Sequence, residues 1–224
     1  MFKMRFKLCI ICLLLYNTAN SQSALGFEQL YYFESSGPEP TPSAVVPRLY
    51  YQDRSGWYGE IRYNYDEVKT LSLYAGKTFS REDSLSWYIT PVAGLLLGQF
   101  KGGSVGANIA VSYGKWSFSS LGQYSFSVQD KEYNFIYSWS ELCYQLTDFL
   151  FGGLVVQQTC LYQTNNKWDP GLQAGITWDK WSFPLYAFSP MSRDRHFVIG
   201  ATWQWEWKGR ASTGSMNKER VVTR

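Results

Sequence analysis

The sequence has few charged residues, a single histidine and almost no long apolar run. Asp, Glu, Lys and Arg make up 17% of its 224 residues, whereas about a quarter is usual for soluble domains. The mean hydropathy is nevertheless negative, because the apolar residues are dispersed among Ser, Gly, Thr, Asn and Gln. This dispersal excludes a helical membrane protein, whose spans need about 20 consecutive apolar residues.

The one apolar block lies at the start of the chain. There the basic MFKMRFK precedes the apolar LCIICLLLY, and the small, polar NTANSQ follows. This three-part layout predicts a secretory signal peptide over residues 1–21, because the apolar run is too short to span a bilayer. We therefore expect an exported protein.

Removal of the signal peptide changes the charge and the cysteine count. Lys3, Arg5 and Lys7 leave with it, so that 21 basic residues become 18, against 18 acidic ones. A neutral chain gives no reason to expect nucleic-acid binding. Cys143 and Cys160 remain in a compartment that permits disulfides. Their spacing fits no metal-site pattern, and whether they form a disulfide stays open.

From residue 48 onward, apolar residues recur at nearly every second position. The last clear run, FVIGATWQWEWK, places Phe197, Ile199, Ala201 and three tryptophans on one face. A period of two predicts a strand, and the whole pattern predicts about ten strands, within a range of 8–12. One run loses its phase near Ser140, which indicates a β-bulge.

The pattern also predicts the domain organisation. We assign residues 22–47 to an N-terminal extension with a Pro-rich linker, 48–208 to the stranded domain and 209–224 to a polar tail. Short turns such as GK and DK alternate with longer loops such as TNNKWDP and SPMSRDR. This alternation is typical of an up-and-down meander across a membrane.

Two all-β architectures fit the alternation, a soluble sandwich and a transmembrane barrel. Many runs reach about ten residues, which is the length that spans a bilayer, whereas soluble strands usually have five or six. The polar faces carry small uncharged groups, such as Ser117, Ser119 and Ser125, which suit a narrow lumen better than bulk water. An open sheet cannot span lipid, so we predict an antiparallel, up-and-down transmembrane β-barrel.

Aromatic residues gather toward the ends of the predicted strands. An aromatic ring with one polar atom is stable at the boundary between hydrocarbon and headgroups. We therefore predict that eight tryptophans mark a membrane interface: Trp57, Trp87, Trp116, Trp178, Trp181, Trp203, Trp205 and Trp207.

With these features, the sequence resembles the small outer-membrane β-barrel proteins of Gram-negative bacteria. The resemblance rests on the signal peptide, the two-residue repeat, the aromatic girdle and an aromatic last strand, HFVIGATWQWEWK. It implies a location in the cell outer membrane, a lipid bilayer as partner and insertion by the barrel-assembly machinery. The tail after the last strand departs from this class, in which many chains end at that strand.

The sequence offers little catalytic chemistry. His196 is the only histidine, and Ser192 and Asp194 lie in the loop before it. Val198 occupies the position where a nucleophile would share the strand face of His196, so we predict no enzymatic activity and no cofactor.

A lumenal cluster is the better candidate for a functional site. Glu60, Arg62, Gln204 and Glu206 share the inward face of the strands that we expect to close the barrel, the one at Trp57 and the last one. We interpret them as an ion-pair cluster that fills a small lumen, and a charged constriction for a solute is the alternative.

Two functions follow from these interpretations. The first is a non-enzymatic outer-membrane barrel with a structural, surface-interaction or narrow solute-passage role, with an extracellular ligand possible and unknown. The alternative is a soluble, exported β-sandwich that binds carbohydrate through its aromatic residues.

Overall fold

The computed structural model describes residues 23–34, 45–161, 166–193 and 195–207. The predicted signal peptide, most of the Pro-rich linker and the predicted tail lie outside these residues. The described residues form thirteen strand segments and one short 3-10 helix, η1 (Lys131–Tyr133): β1 (Ser23–Glu34), β2 (Val45–Gln52), β3 (Trp57–Tyr63), β4 (Thr70–Lys77), β5 (Phe79–Arg81), β6 (Leu85–Gly98), β7 (Gly102–Tyr113), β8 (Trp116–Ser127), β9 (Phe135–Gln145), β10 (Leu150–Leu161), β11 (Lys167–Trp178), β12 (Trp181–Phe188) and β13 (His196–Trp207).

All strands belong to one antiparallel sheet that closes on itself. β4 and β5 both pair with β6, every other strand pairs with its neighbours along the chain, and β1 also pairs with β13. Closure gives every strand a partner on both sides, which a sheet in hydrocarbon requires. The predicted antiparallel barrel is therefore confirmed, and the soluble sandwich is wrong. Among the described residues, no helix is long and apolar enough to cross a membrane.

β4 and β5 are one strand with a break at Thr78. Gly76 pairs with Val92 and Phe79 pairs with Ile89, so the register along β6 continues across the break. At the break, the Thr78 backbone N–H donates to the Gly56 carbonyl instead, at 2.7 Å. The described residues therefore form a barrel of twelve strands, within the predicted range of 8–12.

The barrel begins at Ser23 and not at residue 48. β1 and β2 occupy much of the segment that the sequence assigned to an extension and a linker. The alternation is obscured there because Gln29 and Pro47, which pair with each other, stand on the outer face. A polar side chain and a residue without a backbone donor hide the apolar repeat of these two strands.

The turns at one end of the barrel are short, and this end is called the short-turn end. Gly114-Lys115 joins β7 to β8, and Asp179-Lys180 joins β11 to β12. Gly114 (φ 57°) and Asp179 (φ 52°) are in the left-handed region that tight hairpins need and that Gly and Asp tolerate. β1 begins and β13 ends at this same end, and the opposite end is called the loop end.

The inner and outer faces alternate as the sequence predicts for most strands. On β7, the Ile109 side chain faces outward and Asn108 is buried in the interior. The outer wall is rich in exposed Leu, Ile, Val, Phe, Tyr and Trp side chains. A largely apolar wall of this kind suits hydrocarbon and not water.

The outer wall has a polar interruption where β8 meets β9. Ser120 pairs with Ser140 on this face, and their Oγ atoms lie 2.9 Å apart. β9 pairs without a break with both neighbours from Phe135 to Ser140 and beyond, so the β-bulge predicted near Ser140 is wrong. The apparent loss of phase arises because serines occupy outward positions of a regular strand.

The alternation of faces predicts how Arg is tolerated at two adjacent positions. Ile109→Arg should destabilise the folded barrel by roughly 2–4 kcal/mol, because Arg then faces mid-bilayer hydrocarbon. Asn108→Arg should cost much less, because the new side chain enters the polar lumen. Urea unfolding in lipid vesicles measures both, and equal losses at the two positions would contradict the assignment of faces.

The position of the termini predicts which loops are outside the cell. If both termini are periplasmic, a cysteine at Asn166 at the loop end reacts with an impermeant thiol reagent on intact cells. A cysteine at Lys180 at the short-turn end stays unlabelled. Both variants need Cys143 and Cys160 replaced by Ser, and the reverse labelling pattern would mean that the barrel is inserted the other way round.

Candidate functional site in the barrel interior

The loop half of the interior is filled by a cluster of buried apolar and aromatic side chains, called the plug. Phe188, Leu96 and Val198 at its centre have no solvent exposure. The rings of Phe100 and Phe135 lie 5.4 Å apart between centroids, and those of Trp139 and Phe188 lie 5.0 Å apart. The buried members are Leu30, Val46, Leu96, Phe100, Leu121, Phe135, Tyr137, Trp139, Val155, Tyr186, Phe188 and Val198.

A chain of ion pairs crosses the middle of the lumen. Glu60 Oε1 lies 2.5 Å from the Nε atoms of both Arg48 and Arg62. The chain extends from Arg48 to Glu28 at 3.7 Å and from Arg62 to Asp66 at 3.4 Å. The loop between β3 and β4 folds inward and brings Asp66 to this position.

Uncharged groups complete the surroundings of Glu60 and Arg62. The Tyr58 hydroxyl donates to Glu60 Oε2 at 2.6 Å, and Arg62 Nη1 donates to Gln123 Oε1 at 2.8 Å. The Arg62 guanidinium also lies 4.3 Å from the centroid of the Tyr74 ring. With an exposure of 0%, Arg62 is held by charge, hydrogen bonds and cation–π contact together.

The short-turn half of the interior is more open and is called the vestibule. It consists of a cavity of about 370 Å³ on the side of β8, β9 and β12 and another of about 290 Å³ on the side of β2 to β6. Glu28, Arg48, Tyr88, Asn108 and Thr202 line both cavities. The vestibule reaches the rim of the barrel, since Gln145 and Glu206 also line it.

The vestibule is negatively charged. Its lining holds four carboxylates, Glu28, Glu82, Glu141 and Glu206, and one guanidinium, Arg48. The formal charge of these five groups is −3, and Arg48 is already bound to Glu60. Carboxylates in a cavity with low-dielectric walls concentrate cations and repel anions.

The predicted lumenal cluster is only partly assembled. Glu60 and Arg62 contact each other as expected, but Glu206 and Gln204 lie at the rim, where Gln204 Nε2 donates to Glu206 Oε1 at 2.6 Å. The expected pairing of the strand at Trp57 with the last strand is wrong, because β1 and β2 lie between β3 and β13. Gln204 is linked inward through Tyr50, whose hydroxyl donates to Gln204 Oε1 at 3.2 Å.

The eight tryptophans predicted to mark a membrane interface all lie on the outer wall toward the short-turn end. Trp181 pairs with both Trp178 and Trp203. Lys180 Nζ lies 5.4 Å from the Trp205 ring, and Lys77 Nζ lies 5.1 Å from the Trp57 ring. Their role as an interface girdle stays a prediction, which this position at one rim supports.

His196 and the two cysteines make no catalytic arrangement with each other. The His196 ring stacks on Phe188 at the loop end, with 4.7 Å between centroids and 13° between planes. Cys143 faces the lumen and Cys160 faces outward, and both are free thiols. In the described part of the chain, no three or more His, Cys, Asp or Glu residues are grouped as metal ligands.

The sequence pattern does not predict that four charged residues lie in the interior: Glu28, Arg48, Asp66 and Glu141. Glu28 and Arg48 belong to β1 and β2, which lie where the sequence pattern predicts an extension and a linker. Asp66 lies in a turn, where an acidic residue normally faces solvent. Glu141 follows Phe135, Tyr137 and Trp139 on the inward face of β9, so an aromatic inward face is the signal that could have found it.

Comparisons with known proteins connect this fold to porins. No protein-family model matches the sequence, and no curated protein matches it. The fold is similar to that of KdgM porin in complex with disordered oligogalacturonate, with a TM-score of 0.56 and 11% identity over 80% of this chain and 98% of the porin. A second structure of KdgM porin gives 0.54 and 10% over the same shares.

The chain has the fold of an outer-membrane porin. At such low identity the likeness concerns the fold alone. Together with the closed sheet, it confirms the predicted antiparallel β-barrel. The apolar outer wall supports a bilayer environment and a location in the outer membrane.

Burial of the ion-pair chain predicts a large effect of removing Arg62. Arg62→Met should lower the free energy of unfolding by about 3–5 kcal/mol, because Asp66 is left as a buried, uncompensated charge and Glu60 keeps only Arg48 as an ion-pair partner. Arg81→Met is the matched control, since Arg81 Nε also lies 2.5 Å from a carboxylate, that of Asp83, but on the surface. That exposed pair should contribute at most about 1 kcal/mol.

Denaturant unfolding in lipid vesicles, followed by tryptophan fluorescence, measures both variants. Similar losses for Arg62→Met and Arg81→Met would mean that burial does not set the strength of the lumenal chain.

Proposed function

We propose that this barrel is a narrow, non-enzymatic passage for small neutral or cationic solutes, and not a general porin. The observation that carries the proposal is the division of the interior into an open, acidic vestibule and a filled plug. Barrels of eight strands are filled by side chains, and those of sixteen to eighteen strands leave an aqueous channel. Twelve strands with one filled half lie between these limits.

The charge of the vestibule sets the proposed selectivity. Glu28, Glu141 and Glu206 surround the route inward, and the one guanidinium among them is compensated by Glu60. Oligogalacturonate, which one structure of KdgM porin contains, is a polyanion and would be repelled here. The charge therefore supports a different solute class from that of the similar porin.

Movement of the plug would control the proposed passage. Phe100 lies on the loop between β6 and β7, and Tyr65 lies on the loop between β3 and β4. Phe100 belongs to the plug and Tyr65 packs against it, with the Tyr65 ring 6.1 Å from the Tyr137 ring. Because loops are more mobile than strands, these two contacts are where the filled half would open.

The remaining partners follow from the fold and stay proposals. We infer insertion by the barrel-assembly machinery, which the aromatic residues of β13 favour. No nucleic acid is expected, and an extracellular ligand at the loop end has no defined chemistry.

Planar-bilayer recordings test the proposed function. The unmodified protein should give little or no conductance, with a cation preference in any leak. Phe135→Ala combined with Phe188→Ala should raise the conductance, because it removes two rings from the plug. The matched control is Phe183→Ala with Phe197→Ala. It also removes two phenylalanine rings, but from the outer wall, so the channel should stay closed.

Large, stable channels from the unmodified protein would show that the lumen is open and contradict the plug. Silent recordings from the Phe135 and Phe188 variant, inserted and folded, would contradict passage through this half of the barrel. An anion preference in the opened variant would contradict the proposed selectivity.

A further inference from the structure

Glu141 has an unusual position in the vestibule. Its carboxylate lies on the inward face of β9, where Oε1 accepts from Trp139 Nε1 at 2.5 Å and from the Tyr186 hydroxyl at 3.1 Å. Oε2 faces a weak donor, the Cys143 thiol, at 4.0 Å. One oxygen is thus fixed by two strong donors, while the other keeps capacity to accept a hydrogen bond.

The fixed orientation of Glu141 is that of a preorganised acceptor. Trp139 and Tyr186 pack edge to face, with 5.0 Å between ring centroids, and both are buried. These rings hold the carboxylate still, so that a ligand would not have to order it. Preorganisation of this kind lowers the entropic cost of binding.

The walls around Glu141 combine aromatic rings with further acceptors. Tyr65, Tyr88, Trp139 and Tyr186 line the 370 Å³ cavity together with Glu28. Glu28 is only loosely paired, since 3.7 Å separates it from Arg48 Nη1. An ammonium ion is attracted both by carboxylates and by the faces of such rings.

Asn108 adds an independent sign that the cavity accommodates donor groups. Its side chain lines both parts of the vestibule, and it has 8% exposure. Its Nδ2 lies 3.5 Å from the Tyr58 hydroxyl, while its Oδ1 has no hydrogen-bond partner among the described residues. A buried acceptor without a partner is costly, and a ligand that brings N–H or O–H groups would remove that cost.

We propose that the vestibule binds a small organic cation, a protonated amine, with its ammonium group on Glu141 and its apolar part between the aromatic rings. The inference deepens the proposed function, because it names the solute class and places the ligand on the proposed path. The cavity of about 370 Å³ has room for an amine with a single aromatic ring.

Three probes of one shape and different charge test the proposal: phenylethylammonium, neutral phenylethanol and anionic phenylacetate. Cys143 lines the same cavity and serves as a reporter in the folded, detergent-solubilised Cys160→Ser protein. The rate of its modification by methyl methanethiosulfonate, a small neutral reagent, is followed by mass spectrometry. Phenylethylammonium should slow the modification in a saturable way, and phenylacetate at the same concentration should not.

Glu141→Gln keeps an acceptor for Trp139 and Tyr186 but removes the charge. It should weaken protection by phenylethylammonium at least about tenfold, which corresponds to about 1.4 kcal/mol, because the charge-assisted hydrogen bond to the ammonium group is lost. Glu28→Gln should weaken it as well, which provides a second variant if the first does not fold. Glu132→Gln, which removes an exposed carboxylate at the loop end, should leave protection unchanged. Heat-modifiable migration on gels verifies that each variant is folded.

Absence of protection by phenylethylammonium, or equal protection by phenylacetate, would overturn the proposed site. Equal weakening by Glu132→Gln and Glu141→Gln would overturn the role of Glu141. The outcome is separable from the test of passage. If phenylethylammonium protects Cys143 but the Phe135 and Phe188 variant stays silent, the site is supported and passage is contradicted. If that variant conducts but phenylethylammonium does not protect Cys143, the site alone is contradicted.

Discussion

Closure of the sheet is the constraint on which the rest of the structure depends. In hydrocarbon each unpaired backbone N–H or C=O costs several kcal/mol, so the first and last strands must find each other. Here β1 pairs with β13 along twelve residues on each strand, from Ser23 with Trp207 to Glu34 with His196. This long seam fixes where the termini lie and separates an apolar outer wall from an interior that can carry charge.

Closure with twelve strands also determines how the interior is used. Twelve strands enclose more volume than side chains of ordinary size can fill. In this barrel one half of the interior is filled by side chains and the other half is open. Large rings such as Trp139 and Phe188 fill the loop half, while Ser117, Ser182 and Thr202 leave space in the short-turn half. Arg62 and Glu60 lie between the two, where hydrogen bonds and opposite charges compensate their desolvation.

The sequence predicted the fold class well because the period of two is a local signal. It placed Ile109 outward and Asn108 inward without knowledge of any neighbour. It failed where an outward position carries a polar residue or proline, as at Gln29 and Pro47, and two strands were lost there. It also assigned a bulge near Ser140, where an outward serine breaks the hydrophobic repeat but not the strand.

The interior site was harder to predict than the fold because it depends on which strands are neighbours. Glu60 and Arg62 are two residues apart on one strand, so their contact follows from the local pattern. Their partners Arg48 and Asp66 come from another strand and from an inward-folded turn, and Glu141 lies across the lumen. Once two strands were missing, the seam was misplaced, and Glu206 was assigned to a cluster that it does not join.

The pair of serines on the outer wall couples two positions that are twenty residues apart. At 2.9 Å, one Oγ donates to the other. Each hydroxyl therefore has a hydrogen-bond partner in hydrocarbon, which has no hydrogen-bonding groups. Replacing either serine alone by an apolar residue leaves a solitary hydroxyl toward the acyl chains, whereas replacing both removes the need altogether. The two serines should therefore change together as the sequence diverges, because replacing both by apolar residues is tolerated better than replacing either one alone.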